Sequence, residues 1–288
     1  MKRLLLLLLI VFIGAGALRA VDIGSTPDTT APTNSNIPGW TSGWGATGIT
    51  GWDYVCQING GASGVYLGYG WVLTAGHVGQ GNITIDGVPY AAVTNSSVGI
   101  TVSGNPVDVC LFQLQTQPNL RPLVIRSSDP KAFFTDTSGS PVVMIGFGGG
   151  KSWGYNTVTQ KNASVQVNQF TSNDFVTDLG SYSNGSTVIT NNAVLVNGDS
   201  GGGDFIYNSA ASRWELAGIN EAIGPDTGPI TYSLFVQLNT YATQINNIIV
   251  PATTDTPTLP LPGLVMLGGL LLFVACRSFG AKVADAQG

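Results

Sequence analysis

The sequence predicts an all-β protein, and three observations support this prediction. Short runs rich in Val, Ile, Tyr and Thr alternate with turn residues across residues 52–234, a composition typical of half-buried strands. The runs are spaced as an antiparallel barrel requires. Only residues 235–249 place their apolar side chains at helical spacing, and no longer stretch of 3.6-residue period competes with the strands.

The composition agrees with one large or two small folded units. The chain has 288 residues, of which 43% are hydrophobic and only 9% charged, with a formal net charge of −5. A core of useful size can therefore be buried, and Gly, Ser, Thr and Asn provide the polar surface, as is common in exported all-β proteins. No run of Lys or Arg would attract nucleic acid. One histidine and no Cys-x-x-Cys pair exclude a multi-histidine metal site.

The N-terminal segment has the pattern of a secretory signal. Basic Lys2 and Arg3 precede an apolar run over 4–13 and small residues at 15–17, so we expect a signal peptide over 1–20 and an exported protein. A membrane-anchoring helix is the alternative, although the apolar run is short for one. Residues 21–50, rich in Pro, Thr, Ser and Gly, predict a flexible arm, parts of which could pack on the domain through its tryptophans.

The folded domain is expected to span residues 51–250. Its first half, about 51–128, contains predicted strands at 52–58, 63–67, 71–74, 82–85, 88–93, 98–102 and 107–114. The proline-containing segment 115–140 is expected to cross to a second half at about 137–250. Predicted strands there are 141–148, 157–159, 163–170, 187–196, 203–207, 214–221 and 230–234, followed by one amphipathic helix over 235–249.

Three separate motifs carry residues suited to nucleophilic catalysis. Ser200 lies in Gly-Asp-Ser-Gly-Gly, which suits a hydroxyl held on a tight turn with main-chain N–H groups free for an oxyanion. A serine needs a base, and the base needs a partner that fixes its tautomer. His77, the only histidine, follows an apolar strand and Thr-Ala-Gly. Asp108 begins an apolar strand, where a buried carboxylate requires a partner.

These motifs, in the order His, Asp, Ser, resemble those of chymotrypsin-like serine endopeptidases in a bacterial exported form. The resemblance implies two six-stranded antiparallel β-barrels with a C-terminal helix and an active site between the barrels. It implies peptide-bond hydrolysis through an acyl-enzyme, with Ser200 as nucleophile, His77 as base and Asp108 as the orienting acid. The N–H groups of Gly198 and Ser200 would form the oxyanion hole. The partner would be a protein or peptide substrate, and no cofactor is needed.

The same resemblance implies where substrate specificity resides. Val194 and Leu195 would form the base of the primary pocket, and Glu221, Ala222 and Ile223 one wall. No acid stands at the pocket base, so cleavage after Lys or Arg is not expected, although Glu221 could favour a basic substrate. The chain has no internal Ile-Val-Gly-Gly start, so the resemblance gives no reason to expect a new N-terminus beside Asp199.

The C-terminal segment suggests sorting or anchoring. A Pro/Thr-rich spacer over 251–262 precedes 263–288, which opens with 14 uncharged, mostly apolar residues and ends in basic and polar ones. A 14-residue helix spans roughly 21 Å, short of a bilayer core. The segment is either a short membrane tail with a basic cytoplasmic end or a sorting signal similar to the PEP-CTERM type, cut by an exosortase-type enzyme. A buried terminal helix is the alternative.

Several alternatives remain open at this level. Cys56 and Cys110 could form a disulfide or remain two buried thiols. A catalytically inactive binding protein of the same fold, or a surface adhesion module, could carry the same motifs. A lipase of the α/β class would require the order Ser, Asp, His and alternating helices, and the sequence shows neither.

Overall fold

The structure, a computed structural model, describes residues 22–23, 28–136, 138–224 and 231–250. The helical elements in these ranges are α1 (Gly51–Tyr54), α2 (Phe133–Asp136), a 3₁₀ turn (Leu238–Thr240) and α3 (Ala242–Ile249). The strands are β1 (Asp22–Ile23), β2 (Val55–Ile58), β3 (Ala62–Gly68), β4 (Trp71–Thr74), β5 (Ile83–Ile85), β6 (Val88–Tyr90), β7 (Val98–Val102), β8 (Asn105–Gln113), β9 (Pro141–Gly146), β10 (Ser152–Thr157), β11 (Gln160–Val167), β12 (Phe170–Asp178), β13 (Gly180–Asn184), β14 (Thr187–Asn191), β15 (Ala193–Val194), β16 (Gly203–Asn208), β17 (Arg213–Gly224) and β18 (Tyr232–Gln237).

The first large sheet closes into a barrel. Its strand order is β6-β5-β2-β3-β4-β8-β7, and the two end strands follow each other along the chain. Between them, Val93 N–H donates to Gln113 O at 2.8 Å and Gln115 N–H donates to Ala91 O at 2.9 Å. Strands β6 and β7 are therefore two parts of one bent strand, and the sheet is a six-stranded antiparallel barrel without a free edge.

The second large sheet closes in the same way. Its order is β10-β9-β16-β17-β18-β12-β11, and β10 and β11 are consecutive along the chain. At the bend between them, Thr159 N–H donates to Val176 O at 2.9 Å. Helix α3 follows β18. Two antiparallel six-stranded barrels with a C-terminal helix confirm the predicted fold class.

Two predicted elements differ in type from the structure. Residues 51–54 form helix α1 rather than the start of a strand, because Thr50 N–H donates to the Asp53 carboxylate at 2.7 Å and caps the helical turn. The helix predicted over 235–249 begins only at Ala242. Phe235 and Val236 instead pair with β12 in β18, so strand pairing overrides the helical spacing of this segment.

Residues 28–50 pack against the barrels, which corrects the flexible arm predicted for this part of the chain. Trp40 is fully buried, and its ring meets Trp214 edge-on at 4.9 Å. Trp44 stacks on Trp214 at 5.9 Å. Aromatic rings bury large apolar areas, which is enough to hold an otherwise polar segment in place.

The structure also bears on the termini and the cysteines. Cys56 and Cys110 are two buried free thiols. The predicted signal peptide over 1–20 and the C-terminal segments over 251–288 lie outside the described residues. Within the described ranges, no helix has the length and apolar character needed to cross a membrane.

Candidate active site

A cleft of about 300 Å³ brings together His77 and Ser200. His77 follows β4 of the first barrel, and Ser200 precedes β16 of the second. The cleft is therefore built from both barrels. Its lining comprises His77, Val167, Asn168, Leu195, Val196, Asn197, Asp199, Ser200, Asn220, Glu221, Ala222 and Ile223.

His77 is held by Asp108 at two points. The ring Nδ1 lies 2.7 Å from Asp108 Oδ2, and the main-chain N–H of His77 donates to Oδ1, also at 2.7 Å. Because a carboxylate only accepts, Nδ1 carries the proton and Nε2 is the basic nitrogen. The hydrogen bond to Asp108 raises the pKa of His77, and burial opposes this rise. The arrangement can therefore stabilise a protonated imidazole.

Strand register brings these two residues together. Thr74 in β4 lies opposite Cys110 in β8, so the chain leaving β4 passes over Asp108. Gly76 allows this close approach, because a Cβ there would lie 3.0 Å from Asp108 Oδ1 and 2.9 Å from Phe170. The glycine in Thr-Ala-Gly-His is thus required by packing beside a fully buried carboxylate.

The turn carrying Ser200 is fixed by the preceding aspartate. The Asp199 carboxylate accepts hydrogen bonds from Gly148 N–H at 3.0 Å and Val196 N–H at 2.8 Å. Gly201 has φ +83°, and a Cβ there would lie 2.1 Å from Thr74 Oγ1. A residue with a side chain would not fit this conformation. Asp199 thus shapes the turn, as charge-assisted bonds to main-chain amides commonly do.

The two groups expected to bind an oxyanion lie in this turn. Within the described residues, no hydrogen bond takes the main-chain N–H of Gly198 or Ser200. Gly198 adopts φ +96°, and its carbonyl accepts a hydrogen bond from Ser63 Oγ at 3.1 Å. With that carbonyl engaged, the adjacent amides are available to a developing negative oxygen.

Four of the five residues expected to bind substrate line the cleft, namely Leu195, Glu221, Ala222 and Ile223. Val194 does not, because it lies in β15 and pairs with Asp22 of β1. Sequence reasoning missed Val167 and Asn168. It merged β11 and β12 into one strand, whereas Asn168, with φ +53°, forms the turn between them. A left-handed Asn is a recognised turn signal and could have revealed this loop.

In the described part of the chain, no three His, Cys, Asp or Glu side chains are grouped as metal ligands.

Comparisons with known proteins agree with this geometry. The family model described as Trypsin matches residues 47–245. The active form of the Rv3671c protease from M. tuberculosis is 17% identical, with a TM-score of 0.51 over 86% of this chain and 98% of that chain. At this identity the similarity bears on the fold.

Two further solved structures match, and the curated proteins give no match. An inactive form of Rv3671c from M. tuberculosis is 15% identical, with a TM-score of 0.49 over 81% of this chain and 100% of that chain. The HtrA-type protease AlgW with a tripeptide is 20% identical, with a TM-score of 0.48 over 68% of this chain and 60% of that chain.

Proposed function

This chain belongs to the trypsin family of serine peptidases, and from that premise we propose that it is an active endopeptidase that uses Ser200, His77 and Asp108. The observation that carries the proposal is the 2.7 Å bond between His77 Nδ1 and Asp108 Oδ2, in the cleft that Ser200 also lines. A fixed tautomer leaves Nε2 as the base that a serine hydroxyl requires.

The proposed reaction proceeds in two halves. Ser200 Oγ attacks the substrate carbonyl while His77 Nε2 takes the hydroxyl proton, and the ring then gives this proton to the leaving amine. Water hydrolyses the acyl-enzyme by the same route in reverse. Asp108 stabilises the imidazolium formed in each half. The amides of Gly198 and Ser200 stabilise the oxyanion, and removal of one such donor costs about 3–4 kcal/mol in comparable enzymes.

The proposed substrate is a protein or peptide with an uncharged side chain before the cut. Leu195, Ala222 and Ile223 give the cleft apolar walls, and Asn168 adds a neutral polar one. Glu221 is the acidic lining residue beside Asp199, but its Oε1 accepts a hydrogen bond from Ser172 Oγ at 2.8 Å. It is only 3% exposed. Neither acid therefore offers a free carboxylate to an incoming Lys or Arg.

A covalent active-site label tests the proposal. A fluorophosphonate should label the folded wild-type protein, and Ser200→Ala should abolish both labelling and peptide hydrolysis. Ser138→Ala is a matched control, because Ser138 also adjoins a glycine but is exposed and outside the cleft. A library of peptides reports the preferred residue before the cut. A folded protein that resists the label would instead be an inactive binding or adhesion module.

Export and C-terminal anchoring are part of the same proposal and rest on the terminal sequence patterns alone. Mass spectrometry of the mature N- and C-termini and fractionation of cells would test them. Recovery of the intact chain from the cytoplasm would refute both.

A further inference from the structure

A chain of hydrogen bonds leads from Asp108 to Glu221 in the cleft wall. Asp108 N–H donates to Ser172 Oγ at 3.2 Å, and Ser172 Oγ lies 2.8 Å from Glu221 Oε1. A main-chain amide can only donate, so the serine oxygen accepts there and its own proton goes to Glu221. All three residues are at most 3% exposed. The direction of each bond is thus defined.

Asp174 supports Glu221 from beneath. It lies two residues after Ser172 in β12, on the same face of the strand, and is fully buried. Its carboxyl group is hydrogen-bonded to that of Glu221. Two carboxyl groups can share such a bond only if one keeps its proton. Burial raises the pKa of Asp174 well above its usual value, so Asp174 is the neutral donor and Glu221 the acceptor.

The groups that face this pair leave the charge of Glu221 uncompensated except by His77. They are Asp108 on β8, Asp204 on β16, Tyr241 before α3 and the His77 ring. Among these groups there is no Lys or Arg. Burial and the charge of Asp108 raise the pKa of Glu221, and the charge of Glu221 adds to that of Asp108 in raising the pKa of His77.

We propose that Glu221 is a positioning residue of the catalytic apparatus: it fixes the Ser172 hydroxyl that holds the main chain of Asp108, and its charge stabilises protonated His77. Asp174 acts as the neutral acid that holds Glu221 in place. This inference rests on the proposed function. It assigns Glu221 to the charge balance of the site rather than to recognition of a basic substrate.

The single histidine makes this testable without activity, because NMR titration of its ring reports one residue. We expect Glu221→Gln to lower the pKa of His77 by about 0.5–1 unit, since a charge close to the ring is lost. Asp174→Asn should leave the pKa of His77 unchanged, because an amide can donate the same bond. Glu215→Gln is the matched control, equally buried and on the same strand β17 but paired with Arg126 and Arg213.

Ser172→Ala provides a second variant that leaves the cleft lining intact. Loss of one hydrogen bond should reduce kcat by roughly five- to tenfold with little change in KM. Glu221→Gln, which keeps an acceptor for Ser172, should retain more kcat than Glu221→Leu. Thermal unfolding identifies any variant that has not folded.

The outcomes separate the two proposals. A folded wild-type protein without peptidase activity would overturn the proposed function, and the His77 titrations would still decide the role of Glu221. An unchanged pKa of His77 in Glu221→Gln, or a shift of similar size in Asp174→Asn, would overturn the present inference. So would wild-type kcat in folded Ser172→Ala.

Discussion

Both carboxylate oxygens of Asp108 accept hydrogen bonds from His77, one from the ring and one from the main chain. The side chain therefore fixes both the position of the residue and the tautomer of its imidazole. Since Asp108 is fully buried, its charge acts on the ring with little screening by water. This one contact connects fold to chemistry more directly than any other in the described residues.

Asp108→Asn should impair catalysis through the tautomer of His77. An asparagine amide directed at Nδ1 would force the proton to Nε2, which leaves no base for Ser200, and a comparable change in another serine protease costs about 10⁴ in kcat. The pKa of His77, now raised by Asp108, should fall. Peptide hydrolysis and NMR titration measure the two effects. Asp86→Asn, in an exposed turn, is the control.

The sign of the linked stability change follows from the same contact. A raised pKa in the folded state means that His77 contributes stability that is fully present below the unfolded value of 6.5 and is lost as the pH rises through the folded value. Asp108→Asn should therefore lose more stability at pH 5 than at pH 9. Equal losses at both pH values would show that the imidazolium is not stabilised by Asp108.

At the scale of strands and turns, the sequence predicted what local motifs encode. His77, Asp108 and Ser200 each stand in a short pattern whose turn or strand end can be read directly. Ser172 and Asp174 carry no such pattern. They reach the site because β12 pairs with β18 and lies against β17, and pairing between distant strands is not written in either segment alone.

The same limit explains the errors in element type. The spacing in 235–249 fits a helix, yet β18 takes its first residues because a barrel needs a strand between β17 and β12. The small helix α1 depends on a single capping carboxylate, Asp53. Arm residues 28–50 are polar on average, and only their buried tryptophans show that part of the arm packs on the domain.

Strand β16 provides a second pH-dependent prediction. Asp204 is fully buried between Met144 and Gly218 of the neighbouring strands, and neither of its carboxyl oxygens has a hydrogen-bond partner within the described residues. Burial raises its pKa well above the usual 3.8. The folded state thus keeps a proton that the unfolded chain releases, so stability should fall as the pH rises above about 3.8.

Asp204→Asn removes this proton and should stabilise the protein more at pH 8 than at pH 4.5. Urea unfolding at the two pH values measures the difference, and Asp86→Asn again serves as the exposed control. A gain of equal size at both pH values would show that ionisation of Asp204 is not responsible.

At the scale of the whole molecule, the N-terminal arm connects parts of the chain that the barrels leave apart. Arg121, in the segment between the barrels, donates to Gly45 O at 2.9 Å. Trp214 Nε1 in the second barrel donates to Gly39 O at 3.1 Å. Trp40 lies between these contacts and meets the rings of Trp44, Phe205 and Trp214. We infer that the arm is an integral part of the folded unit.

Trp40→Ala should therefore destabilise the entire domain rather than release the arm alone. Truncation of a fully buried aromatic ring typically costs about 3–5 kcal/mol, because the lost burial and the cavity add together. The urea midpoint should fall while the m-value stays the same, as expected when one cooperative unit loses stability. Phe134→Ala, at a ring that is 46% exposed, should cost much less. Below its unfolding transition the Trp40 variant should keep its kcat, because Trp40 does not line the cleft. An unchanged midpoint, or a separate early transition, would show that the arm folds independently of the barrels.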